Sequence, residues 1–414
     1  MSSIIRMHYK AISDCNKRKA LANYVIIKNN LNSFYYIMII NTKMYYQQNN
    51  NDLNNDFEPM YRKKTVSPYF HLVRNMGIIS TFFAVGLFLF NFTLTTPINT
   101  IKLDAKFTYA SLDDSTIIDL FDNFKTTYNK TYATIEEATL RYNNFRSFLL
   151  TIDERNSNDT NALHGITKFA DLSPDEFRTN YLGYKPPTNS NKLMIELDTY
   201  SGNESVINWA NIYTTEVKDQ GYCGSCWAFS ATEQIESDSI RLGLLTTTDT
   251  LSTEQIVQCD TVDYGCGGGN TETAFEYVRS AGGIESDSSY PYTSYYDYTG
   301  VCSTNSMNYK VTVDEYYSLS GEESMMTHMF STGPISVCLD ASSWSSYVSG
   351  IITTCGMDVD HCVQAVGINL EEGYWVVRNS WGTEWGNEGY IWLEIGSNMC
   401  NIAYDPTYVV TSLV

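Results

Sequence analysis

Basic side chains nearly run out in the second half of this chain. Residues 202–414 hold 5 Lys or Arg against 28 Asp or Glu, a local balance of −23 within a total of −20 for 414 residues. Such a surface repels nucleic acid and anionic membranes, which argues against both as partners of that half. It also sheds self-repulsion in acid, which suits an acidic compartment. Histidine is scarce too: there are 5, and beyond residue 205 only His328 and His361. Little is left from which to build an imidazole metal site, and only two imidazole bases are available there. Cysteine is missing from the first 222 residues apart from Cys15, whereas nine fall between 223 and 400. Nine is odd, so if eight pair, one free thiol needs a role.

Cysteines clustered behind a hydrophobic stretch point to an oxidising lumen. That stretch, 76–96, contains GIISTFFAVGLFLFNFTLTT and follows Arg62, Lys63, Lys64 and Arg74. It is about one bilayer thick and reads as a signal peptide or a signal anchor. An uncleaved anchor would leave the N-terminus cytosolic and make a type II membrane protein, with the membrane engaged through this segment alone. Residues 1–75, with the run QQNNNDLNND, read as a disordered or cytosolic extension. The spacing predicts helix across 115–156. LHGITKFADLSPDEF, 163–177, reads as a turn, a short strand and a new helix, and 185–201 as an exposed linker. Asn129, Asn158 and Asn203 each open an N-x-S/T glycosylation acceptor.

Helical patterns at 225–242, 252–259 and 270–281 precede strand patterns from 310 onward, among them PISVCLD, HCVQAVGINL, YWVVRNSW and YIWLEIG. Helices followed by strands predict an α+β fold in two lobes. In QGYCGSCWAFS, 220–230, Cys223 and Cys226 have three readings. A redox dithiol expects a thioredoxin-like βαβ unit, and no such alternation surrounds them. Zinc needs a second ligand pair; Cys259 and Cys266 could contribute, but no matching His or second C-x-x-C accompanies them. Nucleophilic catalysis needs a base and a lowered thiol pKa. Cys226 opens a helical pattern, where the dipole favours a thiolate. His361 opens an apolar strand and could serve as base, with the Asn379 side-chain oxygen fixing its tautomer. Trp381 could shield that bond, and Gln220 could donate to an oxyanion beside the Cys226 N–H. His328, inside the helical EESMMTHMF, reads as structural.

CGSCW with downstream His and Asn resembles the papain and cathepsin L cysteine proteases. The resemblance runs from about 117 to 412 and implies a two-lobed papain-like fold, a helical lobe and a β-barrel-like lobe, preceded by a helical propeptide. It implies a cysteine endopeptidase made as a zymogen, working without cofactor or metal in a lysosome or vacuole, or after secretion. Gln220, Cys226, His361 and Asn379 match the four catalytic positions. By the same resemblance Gly224, Gly268, Gly269, Cys338, Asp360, Cys362, Trp381 and Asp405 line the substrate cleft. Glu137, Arg141, Phe145, Ile152 and Asn156 match one propeptide motif, with Phe148 in place of an expected Asn. Gly165, Phe169 and Asp171 match a second, with Thr167 in place of Asn. The implied domains are a propeptide at 115–184, acting as intramolecular inhibitor, a linker at 185–201 cut near Gly202, and a catalytic domain at 202–414. The implied disulfides are Cys223–Cys266, Cys259–Cys302 and Cys355–Cys400. Cys338 and Cys362, expected on neighbouring strands, form either a fourth disulfide or two buried thiols. Asp405, at the floor of the pocket they wall, predicts acceptance of Arg beside Leu or Phe. Protein and peptide substrates and a monomeric state follow. Acid release of the propeptide is expected through paired carboxylates such as Asp171 and Glu137. A substituted nucleophile would have indicated a dead binding protein, and a cleft-blocking insertion an exopeptidase; neither feature is present.

Overall fold

In the computed structural model the described residues are 108–187 and 193–414, with two antiparallel strands, β1 (Tyr24–Ile27) and β2 (Tyr36–Ile39). The chain divides into a unit over Met1–Lys102, which contains that strand pair, and one over Leu103–Val414. The 76–96 stretch lies outside the described residues. Among the described residues no helix is long and apolar enough to cross a membrane.

The second unit begins with α1 (Asp114–Thr127) and α2 (Ile135–Asn158). The helix expected across 115–156 is therefore two. Asn129 sits at φ 50°, which no right-handed helix admits, and Thr134 then caps α2 by accepting the Glu137 N–H. The Glu137 carboxylate returns to the Ala133 N–H at 2.8 Å. Phe145, Phe148, Leu149 and Ile152 form the buried stripe of α2 and meet Ile117, Phe121 and Phe124 of α1. Phe148, the departure from the propeptide motif, is thus a core residue. The chain continues through β3 (Ala162–His164) and α3 (Pro174–Tyr181), which opens on a Ser173–Glu176 capping box. Arg141 pairs with Glu176 at 2.9 Å, and Asp171 binds Lys130 and Tyr132, each at 3.0 Å, tying α3 and the loop before it to α2 and to the loop that joins α1 to α2.

The linker contributes β4 (Leu193–Ile195), followed by β5 (Val206–Asn208). The helical lobe comprises α4 (Cys226–Arg241), α5 (Thr253–Cys259) and α6 (Thr271–Ala281), and a short β6 (Ile284–Glu285) follows. Then come β7 (Tyr309–Leu319), α7 (Gly321–Ser331), β8 (Ile335–Leu339), β9 (Tyr347–Ile352), β10 (His361–Asn369), β11 (Tyr374–Arg378), β12 (Tyr390–Glu394) and β13 (Thr407–Leu413). One sheet runs in the order β3-β9-β12-β11-β10-β8-β13-β7-β4, with β5 on β10 and β6 on β7. It stays open, ending at β3 and β4, rather than closing into the expected barrel. β10 is buried at every position, and α4 is buried almost throughout. The two pack together: Ser230 Oγ donates to the Val363 carbonyl at 2.7 Å, and the Gln364 amide reaches the Glu233 carbonyl at 3.2 Å. Cys226 and His361 are the first residues of the two, and the Cys226 sulfur lies against the N–H of Cys362, the residue after His361.

Candidate active site

The loop before α4 is shaped by covalent and steric limits. Cys223 is bridged to Cys266, and Gly221 turns at φ 62° where a side chain would strike Tyr295. Ser225 then takes the N-cap position, and Cys226 starts the helix fully buried. It is the free cysteine; the other eight described cysteines form Cys223–Cys266, Cys259–Cys302, Cys338–Cys362 and Cys355–Cys400. Cys338 and Cys362 are direct cross-strand partners on β8 and β10, with Cα atoms 4.0 Å apart.

His361 Nε2 lies 2.8 Å from Asn379 Oδ1. That oxygen also accepts the Ser380 N–H at 2.8 Å, which fixes the amide's orientation. Nε2 is then the proton-bearing nitrogen, and Nδ1 is left to exchange a proton with the cleft. Trp381 covers the pair, its ring 4.8 Å from the imidazole and fully buried. Gln220 is locked similarly. Its Oε1 accepts from Ser380 Oγ at 2.7 Å, which leaves its Nε2 to donate to the Cys223 carbonyl at 2.8 Å. His328 lies on α7, buried, its ring tilted at 38° to that of Tyr408 with centroids 4.2 Å apart.

A single stretch, Tyr181–Lys185, runs across all of these groups. The Tyr181 carbonyl accepts from Gln220 Nε2 at 3.2 Å and lies close enough to His361 to favour its protonated form. The Gly183 N–H points at Cys226 Sγ, 3.3 Å away. A Cβ on Gly183 would collide with the Gly224 carbonyl. Gly269 donates to the Gly183 carbonyl and accepts from the Lys185 N–H, both at 2.8 Å, and the Tyr184 N–H donates to the Asp360 carbonyl at 3.0 Å. Gly268 lies against the Gly183 carbonyl. Upstream, Phe169 and Phe177 stand edge-on to Trp381, at 5.2 Å and 5.3 Å. Farther along the same face, Arg155 donates to the Ser345 and Ser346 hydroxyls, and Gly165 N–H to the Ser346 carbonyl. Asn156 brackets His164 by donating to its carbonyl and accepting its N–H. Thr167, where the motif expects Asn, donates to the Ser345 carbonyl.

Covering the cleft changes its electrostatics. Burial pushes the Cys226 thiol up to about 11, against the pull of the Cys362, Gly183 and Trp227 N–H groups. The thiolate expected from the helix start is thus outweighed by desolvation while the segment is in place. Burial likewise holds His361 down to about 4, although its bond to Asn379 favours the charged ring. Asp360 is pushed up to about 7, chiefly by burial. Tyr184 lies in one buried cluster with Cys338 and Cys362, and burial first, then the Asp405 carboxylate, keep its hydroxyl protonated. Sequence reasoning missed Ser380 and the plug Tyr181–Tyr184. The signal for the plug was a lone glycine in YLGYKPP, between a helix end and two prolines.

The pattern of the papain family cysteine proteases matches residues 204–410, and that of the cathepsin propeptide inhibitor domain (I29) matches 121–177. Cysteine proteinase 2 of Leishmania pifanoi is 36% identical over 305 residues, covering 69% of this chain and 68% of that protein. Viral cathepsin of Choristoneura fumiferana nuclear polyhedrosis virus is 36% identical over 292 residues, covering 68% and 88%. The structure of digestive procathepsin L2 proteinase from the Tenebrio molitor larval midgut superposes with a TM-score of 0.64 at 32% identity, covering 71% of this chain and 99% of that one. The fold is that of a two-lobed thiol hydrolase closed by its own N-terminal domain. The chain belongs to the papain family of cysteine proteases and is a cysteine endopeptidase made as a zymogen, with the I29 domain as its intramolecular inhibitor.

Proposed function

We propose that Cys226, His361, Asn379 and Gln220 carry the hydrolysis. Once the covering stretch leaves, water returns to the cleft and the thiol can pass its proton to His361 Nδ1. The Cys226 sulfur attacks the scissile carbonyl, and the oxyanion is held by Gln220 Nε2 and the backbone N–H of Cys226. His361 protonates the leaving amine and then draws a proton from the water that releases the acyl group. Asn379 orients the ring, and Trp381 keeps water from that bond. The observation that carries this reading is the path of Tyr181–Gly183: it meets Gln220, His361 and Cys226 in three residues, yet offers the sulfur an N–H and not a carbonyl carbon.

The domains proposed are the propeptide at 115–184, the linker at 185–201 and the catalytic domain at 202–414. The linker is docked along β7 and α7, with Ile195 accepting the Ser320 N–H and Tyr200 stacked 4.2 Å from Phe330. Gly202 sits just beyond, in an exposed stretch that suits a processing cut. Asn129, Asn158 and Asn203 are all exposed, as glycosylation would require. The compartment proposed is a lysosome or vacuole, or the exterior after secretion, in keeping with the acidic surface. The test is labelling with an epoxide or vinyl-sulfone thiol trap after acid activation. Label on wild type and none on Cys226→Ser is expected; label on both would overturn the assignment of the nucleophile.

A further inference from the structure

Lys168 of the propeptide makes an ion pair whose partner belongs to the catalytic domain. Its Nζ lies 3.0 Å from Asp219 Oδ2, and Asp219 immediately precedes Gln220. The adjacent Phe169 ring stands edge-on to Trp381, so two successive propeptide residues lay a cation on Asp219 and a ring on Trp381. The carboxylate does not depend on the propeptide for its position. Its Oδ1 accepts the Gly221 N–H at 3.0 Å. The backbone of Asp219 is bridged antiparallel to Trp381, with Gln220 N–H donating to the Ser380 carbonyl and Gly382 N–H to the Lys218 carbonyl, both at 2.9 Å. Gly382 leaves the room that Oδ2 needs, since a Cβ there would stand 3.0 Å from that oxygen. The Tyr295 ring packs on Gly221 from the other side. Among the described residues Asp219 pairs with no base but Lys168; the neighbouring Lys218 is committed to Glu236 at 2.7 Å. Even under Lys168 the Asp219 side chain is 31% exposed.

We propose that Asp219 is a specificity residue of the mature protease, selecting lysine or arginine in the leaving-group half of the substrate, where the propeptide presents Lys168. The inference rests on the proposed roles of Cys226 and His361. His361 protonates the leaving amine and Trp381 covers its ring, so the Trp381 side of the cleft receives that half. When the propeptide leaves, Asp219 keeps its orientation and loses its counter-ion. A carboxylate already in place gains from a new cation with no ordering cost of its own. The stem of a lysine or arginine can lie along the apolar surface that Phe169 vacates at Trp381, while its charged head reaches the carboxylate. Oδ1 is taken by the Gly221 N–H and Oδ2 alone is open. Arginine therefore cannot use its two-pronged grip, and the two bases should rank alike. The general acidity of 202–414 attracts cations at every substrate position, whereas a local pair favours one position and vanishes with its own carboxylate.

The experiment takes the acid-activated wild-type protease and matched quenched peptides. One residue, the first, second or third after the scissile bond, is Lys, Arg, acetyl-lysine or norleucine. At one of these positions kcat/KM for Lys and Arg should exceed that for acetyl-lysine and norleucine by about two- to fivefold, the range of a part-exposed ion pair. High salt should shrink that ratio. Asp219→Asn and Asp219→Ser should bring it toward one. Glu372→Gln, which removes an exposed acid charge from the turn between β10 and β11, should leave it in place. The comparison of Lys with acetyl-lysine is made in wild type and needs no variant to fold. Equal rates at every position overturn this inference alone, as does a ratio that survives the Asp219 variants or falls as far in Glu372→Gln. Absence of any hydrolysis, with Cys226 unlabelled by the thiol trap, overturns the underlying assignment and this inference with it.

Discussion

Replacing His164 tests what makes the propeptide let go in acid. His164 ends β3, pairs with Tyr347 of β9, and is 4% exposed. Its Nδ1 lies 2.9 Å from Ser346 Oγ. The charged groups around it are Arg155, which opposes a second positive charge, and Asp159, which favours one; burial dominates and brings the imidazole down from 6.5 to about 4. When the propeptide lifts away, the ring returns to water and to its ordinary value. The released state therefore binds the proton first, and docking is weakened as pH falls from about 6.5 toward 4. The full difference corresponds to at most about 3 kcal/mol, of which about 2 kcal/mol is expressed at pH 5. Allowing for residual solvent leaves about 1–2 kcal/mol, a factor of about 5–30 in the open population. Burial would raise the carboxyls of Asp159 and Glu176, but the bonds from Thr353 to Asp159, and from Ser173 and Arg141 to Glu176, outweigh it and hold both low. Their stabilisation is present above about 4 and lost only as pH falls through their lower docked values. The histidine should act at pH 5–6, above the range in which these two carboxylates titrate. The assay is cleavage of the inactive Cys226→Ser proenzyme by trace active protease, followed against pH. His164→Gln or His164→Leu should flatten the rise between pH 7 and 5. A curve that overlays wild type would refute the reasoning.

Three further outcomes follow from the same contacts. Gly183→Ala should loosen the plug, because its methyl strikes the Gly224 carbonyl, and premature processing at neutral pH would register it. Asp263, pushed up to about 7 by burial and the nearby Asp260, binds its proton more tightly folded than unfolded, so stability should fall as pH rises from about 4 to 7; Asp263→Asn should flatten that slope by about 1 kcal/mol in thermal melts of the Cys226→Ser chain. Replacing Cys338 and Cys362 together by alanine should cost about 2–5 kcal/mol, read as a lower denaturant midpoint.

The parts legible in the sequence were those whose signal is local. The apolar run of β10 and the helical stripe of α4 announced themselves, and the expected pairing of His361 with Asn379 is present. What escaped was made by contact between distant segments. β4 is three residues long and exists only because β7 offers it an edge. The break between α1 and α2 turns on a left-handed Asn129, which composition cannot distinguish from any other helical asparagine. The contact of Tyr184 with Tyr404, 6.1 Å between ring centroids, is likewise non-local. Cys338 and Cys362 lay between: the odd cysteine count suggested a bridge, and only the register of β8 on β10 decides it.

The plug disables the site twice, and the two effects can be separated. Steric cover alone would leave the sulfur reactive toward small reagents that slip past it. Desolvation does something else. It lifts the thiol to about 11 and lowers the imidazole to about 4, so the proton stays on sulfur and the ring stays neutral. The two shifts run in opposite directions, and an ion pair needs both reversed; closing the cleft thus keeps the thiol and the imidazole from forming one. Relative to an ordinary cysteine near 9, the covered thiol holds about a hundredfold less thiolate at neutral pH. Iodoacetamide should therefore alkylate Cys226 of the neutral proenzyme at least about a hundredfold more slowly than a cysteine peptide, and the rate should climb steeply once acid has released the plug. If the proenzyme thiol instead reacts as fast as the peptide, cover without desolvation is the whole of the inhibition, and the electrostatic half of this account is wrong.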